Sequence, residues 1–189
     1  SCFKPEVCNG VDDDCNGLTD DGIVDDMVVV NLAAPGFRID RYEASRPDAT
    51  AVSAGLAETR RCVTANVLPW TLATYAEAAT ACAASGARLC TAAEMQSACQ
   101  GAAMNAYPYG MSYQPLTCNG LDFDGAPGGQ NDNLLLPTGA AALASCATAL
   151  GTFASTARRS AASGSPPRRV SPSAAAMSGR PRQCCSAPC

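Results

Sequence analysis

Asp12, Asp14, Asn16, Gly17 and Asp20 occupy places one, three, five, six and nine of a short acidic stretch, with oxygen donors alternating and a glycine where the chain must turn. That is the spacing with which an EF-hand loop wraps a calcium ion, and Leu18 falls at the seventh place, where a backbone carbonyl serves as ligand. The twelfth place is Ile23 rather than glutamate, so an intact EF-hand is not expected; Asp21 is the carboxylate available to replace it. Asp12, Asp14, Asn16, the Leu18 carbonyl, Asp20 and Asp21 are all hard oxygen donors, and the chain has no histidine, which favours Ca2+ over zinc or copper. The competing reading is a solvated acidic linker, but a linker is not expected to carry paired Asn-Gly turns framed by cysteines.

Those cysteines are the second source of chemistry. Cys8 and Cys15 bracket the acidic repeat, and a disulfide between them would close a small ring that holds the carboxylates together against their repulsion. Twelve cysteines with no CxxC pair and no histidine fit an oxidised, extracytoplasmic protein better than a zinc or redox protein. Cys118 with Cys146 is the next expected pair, because it flanks a long loop whose unfolded freedom a bridge would remove. Cys62 with Cys82 is the third.

Composition explains why such staples are needed. The chain has 189 residues, enough for one domain with appendages, and 47% are hydrophobic; much of that is alanine and cysteine, while aromatics make up 5%, so each buried side chain removes little apolar area from water. Charge is split. Residues up to Asp132 carry all seventeen acids and seven bases, a net −10, whereas the remainder carries six arginines and no acid. An acidic body argues against nucleic acid as a partner. The longest apolar runs, at Met27 to Val30 and Leu134 to Leu136, are too short to span a membrane. Export implies a leader, and since none is present the expectation is that it has been removed.

Several elements must position these groups. MVVV at 27–30 reads as a buried strand, and Phe37, Ile39 and Arg41 alternate with Arg38, Asp40 and Tyr42 as in a strand with one buried face. Residues 46–59 read as a surface loop, and Trp70 as a core anchor. Leu72, Tyr75, Ala76, Ala79 and Cys82 recur on one face of a helix that Ser85-Gly86 stops. After an extended Arg88-Leu89-Cys90, Thr91 and Glu94 form a capping box for a second helix over about 92–100, with Met95, Ala98 and Cys99 inward. Between Tyr107 and Thr138 the density of Gly, Pro and Asn predicts loops, in which Asp122, Asp124, Asn131 and Asp132 are either turn formers or a second calcium set. Beyond Leu150 the Ser/Ala/Pro/Arg composition predicts irregular chain.

ASGARLCTAAEMQSACQG followed by YPYG resembles the central signature of the formylglycine-generating enzyme, or sulfatase-modifying factor, family: A-x(3)-G-x-R-L-C/P-T-x-x-E-W-E-x-A, then Tyr-Pro-Tyr-Gly. Met95 stands where that family usually has tryptophan. The likeness extends more loosely from FRIDRYEAS at Phe37, through Cys118-Asn119, to about Leu150. It implies an α+β, C-type-lectin-like fold, loop-rich and disulfide-stapled, over residues 27–150. An acidic metal-binding motif at 1–26 precedes it, and an Arg/Ser/Pro-rich tail at 151–189 ends in a cysteine cluster. That ending, QCCSAPC, resembles the last strand of some bacterial members and leads to the expectation that Cys184 and Cys185 staple the tail to Cys90 and Cys99. The N-terminal segment is also similar to the motif E-x-C-N-G-x-D-D-D-C-N-G-x-x-D of secreted myxobacterial proteins, named after a copper-binding surface protein; without histidine, calcium remains the expected ion.

Active members of the enzyme family oxidise a sulfatase cysteine with copper held by two cysteines near their C-terminus. Cys184 and Cys189 share that spacing, but the Gly-Gly-Ser lead-in and the flanking Arg and Tyr residues are missing. No Ser-His-Asp set, Cys-His pair or phosphate loop offers another mechanism. The expected function is therefore a secreted or cell-surface, calcium-stabilised, non-catalytic module that binds a protein or glycan or serves a structural role. Its rivals are a copper-dependent oxidase making formylglycine from a peptide cysteine, and a subunit of an extracellular assembly.

Overall fold

The computed structural model describes residues 4–32, 36–119, 135–148 and 150–151, together with the backbone of 182–185. Within these, β1 (Met27–Val30) and β2 (Phe37–Asp40) form an antiparallel pair, with Val28 opposite Ile39 and Val30 opposite Phe37. β3 (Arg88–Leu89) lies at the far edge, and β4 (Arg182–Cys185) runs between β2 and β3, parallel to both. The sheet order is thus β1-β2-β4-β3.

β4 corrects the expectation of irregular chain at Arg182 and Gln183 and puts Cys184 and Cys185 in a strand, as the resemblance of QCCSAPC implies; residues 152–181 lie outside the described residues. Composition averaged over the whole tail hides four residues whose backbone N–H and C=O groups find partners on two sides, and that pairing offsets the ordering cost that the composition cannot. Residues 182–185 therefore belong to the same sheet as β1 and β2. The pairing of Cys184 and Cys185 with Cys90 and Cys99 falls on side chains outside the described residues.

Two helices complete the fold. α1 (Tyr75–Ala84) opens with a capping box in which Thr74 and Glu77 bond reciprocally, and the Thr74 N–H holds the Glu77 carboxyl below its ordinary pKa. It ends in a Schellman motif: Gly86 donates to the Ala83 carbonyl and Ala87 to that of Cys82, with Gly86 at φ +72° as the left-handed position requires. The buried face is Ala81 and Cys82. Leu72 and Tyr75 instead stand in solvent, 93% and 77% exposed, because the helix starts only after the Thr74 cap and meets β3 through its last turns.

α2 (Ala92–Gln100) begins at Thr91 with the expected capping box to Glu94. Ala98 is buried, and Met95 packs beside it against the core formed by Val30, Phe37 and Ile39. Arg88 grips Glu94 through both terminal guanidinium nitrogens, at 2.8 and 2.6 Å, and this pairing pulls the Glu94 carboxyl down to a pKa of about 2. A smaller cluster joins Leu143 and Cys146, at the short 3-10 turn Ala141–Leu143, to Cys118 and Leu136.

β1 is an edge strand, so Val29 is 47% exposed and the run is not fully buried as its β-branched composition predicts. On β2, Phe37 and Ile39 face the core as expected, yet Asp40 on the opposite face is also wholly buried. Trp70 is half-buried and carries the Arg46 guanidinium over its ring at 4.6 Å.

Candidate metal centre

The acidic loop is wound tightly by bonds between its own carboxylates and backbone N–H groups. Asp12 accepts from Gly17 at 2.9 Å and from Asn16 at 3.2 Å, so the first place of the loop closes onto the sixth, where Gly17 takes φ +91°. Asp14 accepts from the Asn16 backbone at 3.0 Å, and the Asn16 side-chain oxygen accepts from Leu18 N–H at 2.8 Å. Asp20 is 2% exposed, and its carboxylate accepts from Asn9 and Gly10 at 2.9 and 3.0 Å. The repeated Asn-Gly turns thus coil the segment around its own acids.

Three carboxylates are left facing one another. Glu6, Asp14 and Asp21 each place an oxygen within 4.8 Å of the others. The Asn16 amide bridges two of them, donating to Asp14 at 3.1 Å and to Asp21 at 3.3 Å. Asp14, Asn16 and Asp21 therefore converge, while Asp12 and Asp20 accept from backbone N–H groups and are not among the three carboxylates that meet. Glu6 lies upstream of the calcium-loop spacing and was not among the expected donors. It accepts from Asp13 and Asp14 through one oxygen and from Asp20 through the other, at 2.6, 3.0 and 2.9 Å, so it holds the loop closed as well as joining the trio. The leading glutamate of the E-x-C-N-G pattern is the sequence signal from which it could have been found.

Glu6, Asp14 and Asp21 line one wall of a cleft of about 740 Å³, and Asp25, Asp26 and Tyr42 lie on its other sides. The last two acids are paired, Asp25 with Arg61 at 2.9 Å and Asp26 with Arg41 at 2.8 Å. No Lys or Arg among the described residues forms an ion pair with the trio. Like charges at such separations repel by about 1 kcal/mol per pair in water and by several times that where the surroundings are less polarisable.

The loop is bonded to the body at one narrow strip. Cys8 forms a disulfide with Cys62, Arg60 donates to the Asp20 carbonyl, and the neighbouring Arg61 reaches Asp25 and, at 3.2 Å, Asp40. This corrects two expected pairings, Cys8 with Cys15 and Cys62 with Cys82. Sequence proximity favoured a ring within the loop, but the fold lays Cys8 against residue 62, with Cα atoms 5.6 Å apart, a spacing suited to a bridge. Cys15, Cys82, Cys90 and Cys99 each take part in a disulfide as well. The Cys118–Cys146 bridge forms as expected. No cysteine among the described residues is free, and disulfides in this number form and persist in oxidising surroundings. Asp122, Asp124, Asn131 and Asp132, the possible second calcium set, lie outside the described residues, as do Cys184 and Cys189 as a copper pair. No helix among the described residues is long and apolar enough to cross a membrane.

No family model, no curated protein and no solved structure matches this chain.

Proposed function

We propose that the chain is a non-catalytic binding or structural module, secreted or displayed at a cell surface, whose N-terminal loop holds a calcium ion and whose body is stapled by disulfides. The observation that carries this is the meeting of Glu6, Asp14 and Asp21, three carboxylates with no cationic side chain among the described residues paired to them, on a loop otherwise wound shut by its own hydrogen bonds. A cation would relieve their repulsion. A donor set of carboxylate oxygens suits calcium, which accepts several oxygens in flexible geometry, better than a metal that prefers imidazole or thiolate.

The resemblance to the formylglycine-generating enzyme family belongs to this proposal, with a C-type-lectin-like body as scaffold. Supporting it are the two capped helices, with the short extended Arg88–Leu89 segment between them, which the signature residues build. The body contributes no histidine and no free thiol among the described residues, so the reading favours recognition over catalysis.

Calorimetric titration of chelator-stripped protein with calcium tests the reading. One bound ion per chain, accompanied by a rise in Tm, is expected. Heat indistinguishable from buffer dilution, with an unmoved Tm, would remove the calcium.

A further inference from the structure

Beyond the helices, the chain carries a partly exposed aromatic cluster that plays no part in the metal loop or the core. Tyr107 and Tyr109 lie nearly parallel, with ring centroids 5.6 Å apart and planes 7° from each other, and Tyr113 tilts against Tyr107 at 5.5 Å. The arrangement is built into the backbone. Tyr107 and Gly110 exchange hydrogen bonds at 2.9 and 3.1 Å, folding Tyr-Pro-Tyr-Gly into a tight turn that sets the first two rings side by side. The Tyr109 hydroxyl then ties across to the backbone of Gln114, accepting from its N–H and donating to its carbonyl, so the loop that bears Tyr113 is held beside the turn. Tyr113 remains 53% exposed. Tyr107 and Tyr109 are half-buried, so the cluster meets water chiefly through Tyr113.

We propose that Tyr107, Tyr109 and Tyr113 form the ligand platform of this module and that it takes a neutral saccharide; this rests on the reading of the chain as an extracellular binding module. Charge gives the first reason. No charged residue occurs between Glu94 and Asp122, so the segment bearing the rings has nothing with which to select an ionic partner. The ring spacing gives the second. A slot that grips a proline ring between two aromatic faces needs about 7 Å, twice an ordinary carbon–carbon contact; Tyr107 and Tyr109 are closer than that and already face each other. What they offer instead is an outer surface. The C–H face of a pyranose carries partial positive charge and suits the negative face of an aromatic ring, while its hydroxyls need neutral donors and acceptors at the rim. The Gln114 side-chain amide supplies these, its oxygen oriented by the Thr117 hydroxyl at 3.0 Å.

The test is binding of the full chain, with calcium present, to soluble β-glucan, β-mannan, galactan and chito-oligosaccharides, measured by affinity electrophoresis and calorimetry. At least one is expected to bind with dissociation constants from micromolar to millimolar. Tyr113→Ala should weaken that binding about tenfold or more, Tyr113→Phe should keep most of it, and Tyr75→Ala, which removes an exposed tyrosine on α1, should leave it unchanged. Near-UV circular dichroism checks that each variant is folded, and Tyr109→Ala serves as the second probe if Tyr113→Ala is not. Folded, calcium-loaded protein that binds none of the four, or binding untouched by both tyrosine variants, would overturn the platform and leave the calcium reading intact. Concentration-dependent self-association abolished by Tyr113→Ala, without saccharide binding, would overturn it in favour of a second copy as occupant. Saccharide binding together with a null calcium titration would instead count against the metal reading alone.

Discussion

Cys8 is bonded to Cys62 across 54 residues, so the acidic loop is fastened to the body rather than closed upon itself. The bridge ends one residue from Arg61 and two from Arg60, and both arginines reach back to the same N-terminal segment. Whatever the loop binds is thereby coupled to the stability of the sheet that Asp40 belongs to.

Replacing both cysteines, Cys8→Ser with Cys62→Ser, is expected to destabilise the protein by about 4 kcal/mol on loop-closure grounds. The pair Cys118→Ser with Cys146→Ser closes a shorter span, 28 residues, and should cost about 3.5 kcal/mol. Urea unfolding measures both. Only the first pair should also weaken calcium binding, because only it anchors the loop.

Arg61 is 1% exposed and lies between Asp25 and Asp40, which are themselves buried. Arg61→Met leaves Asp40 without its counter-charge in a site that water does not reach, and a loss of about 3 to 5 kcal/mol is expected. Adding Asp40→Asn should recover part of it, since the stranded charge is then gone. Equal stability of the single and double variants would show that the penalty is not electrostatic.

The acids of the loop should separate into two classes. Asp14→Asn and Asp21→Asn remove carboxylates from the trio, so each should lower calcium affinity about tenfold, equivalent to about 1.4 kcal/mol, with little change in the stability of the calcium-free protein. Asp20→Ala should do the reverse: it strands the N–H groups of Asn9 and Gly10 and costs about 1 to 3 kcal/mol whether or not calcium is present. Calorimetry together with melts in chelator distinguishes them.

Acid should loosen the start of α2. Glu94 is held at a pKa of about 2 by Arg88, against 4.5 for the free side chain, so between those values the unfolded chain binds the proton that the folded chain does not. Its contribution is complete above about pH 4.5 and disappears as pH falls through about 2. The pair is partly exposed, so the contribution is about 1 kcal/mol after solvent screening. Glu94→Gln should flatten this part of the stability profile.

Local signals were read well where the physics is local. Thr91 and Glu94 are three residues apart, and a capping box needs nothing else; Ser85-Gly86 stops α1 because only the backbone within a few residues is involved. The alternation of Phe37 and Ile39 likewise found the core face of β2. Leu72 and Tyr75 were misplaced because periodicity alone does not say which turns of a helix touch the body. Asp40, on the polar side of that alternation, is buried against Arg61, which arrives from another segment.

The alternating oxygens, the glycine at the sharp turn and the abundance of cysteine are written in the order of residues, and they marked the acidic loop before any coordinates. Partner choice is different. That Cys8 meets Cys62, that Glu6 joins Asp14 and Asp21, and that four residues near the end of the chain lie between β2 and β3 follows from contacts between residues far apart in the chain. Such contacts are chosen by the free energy of the whole packed molecule, in which each closes a loop that no local spacing prices.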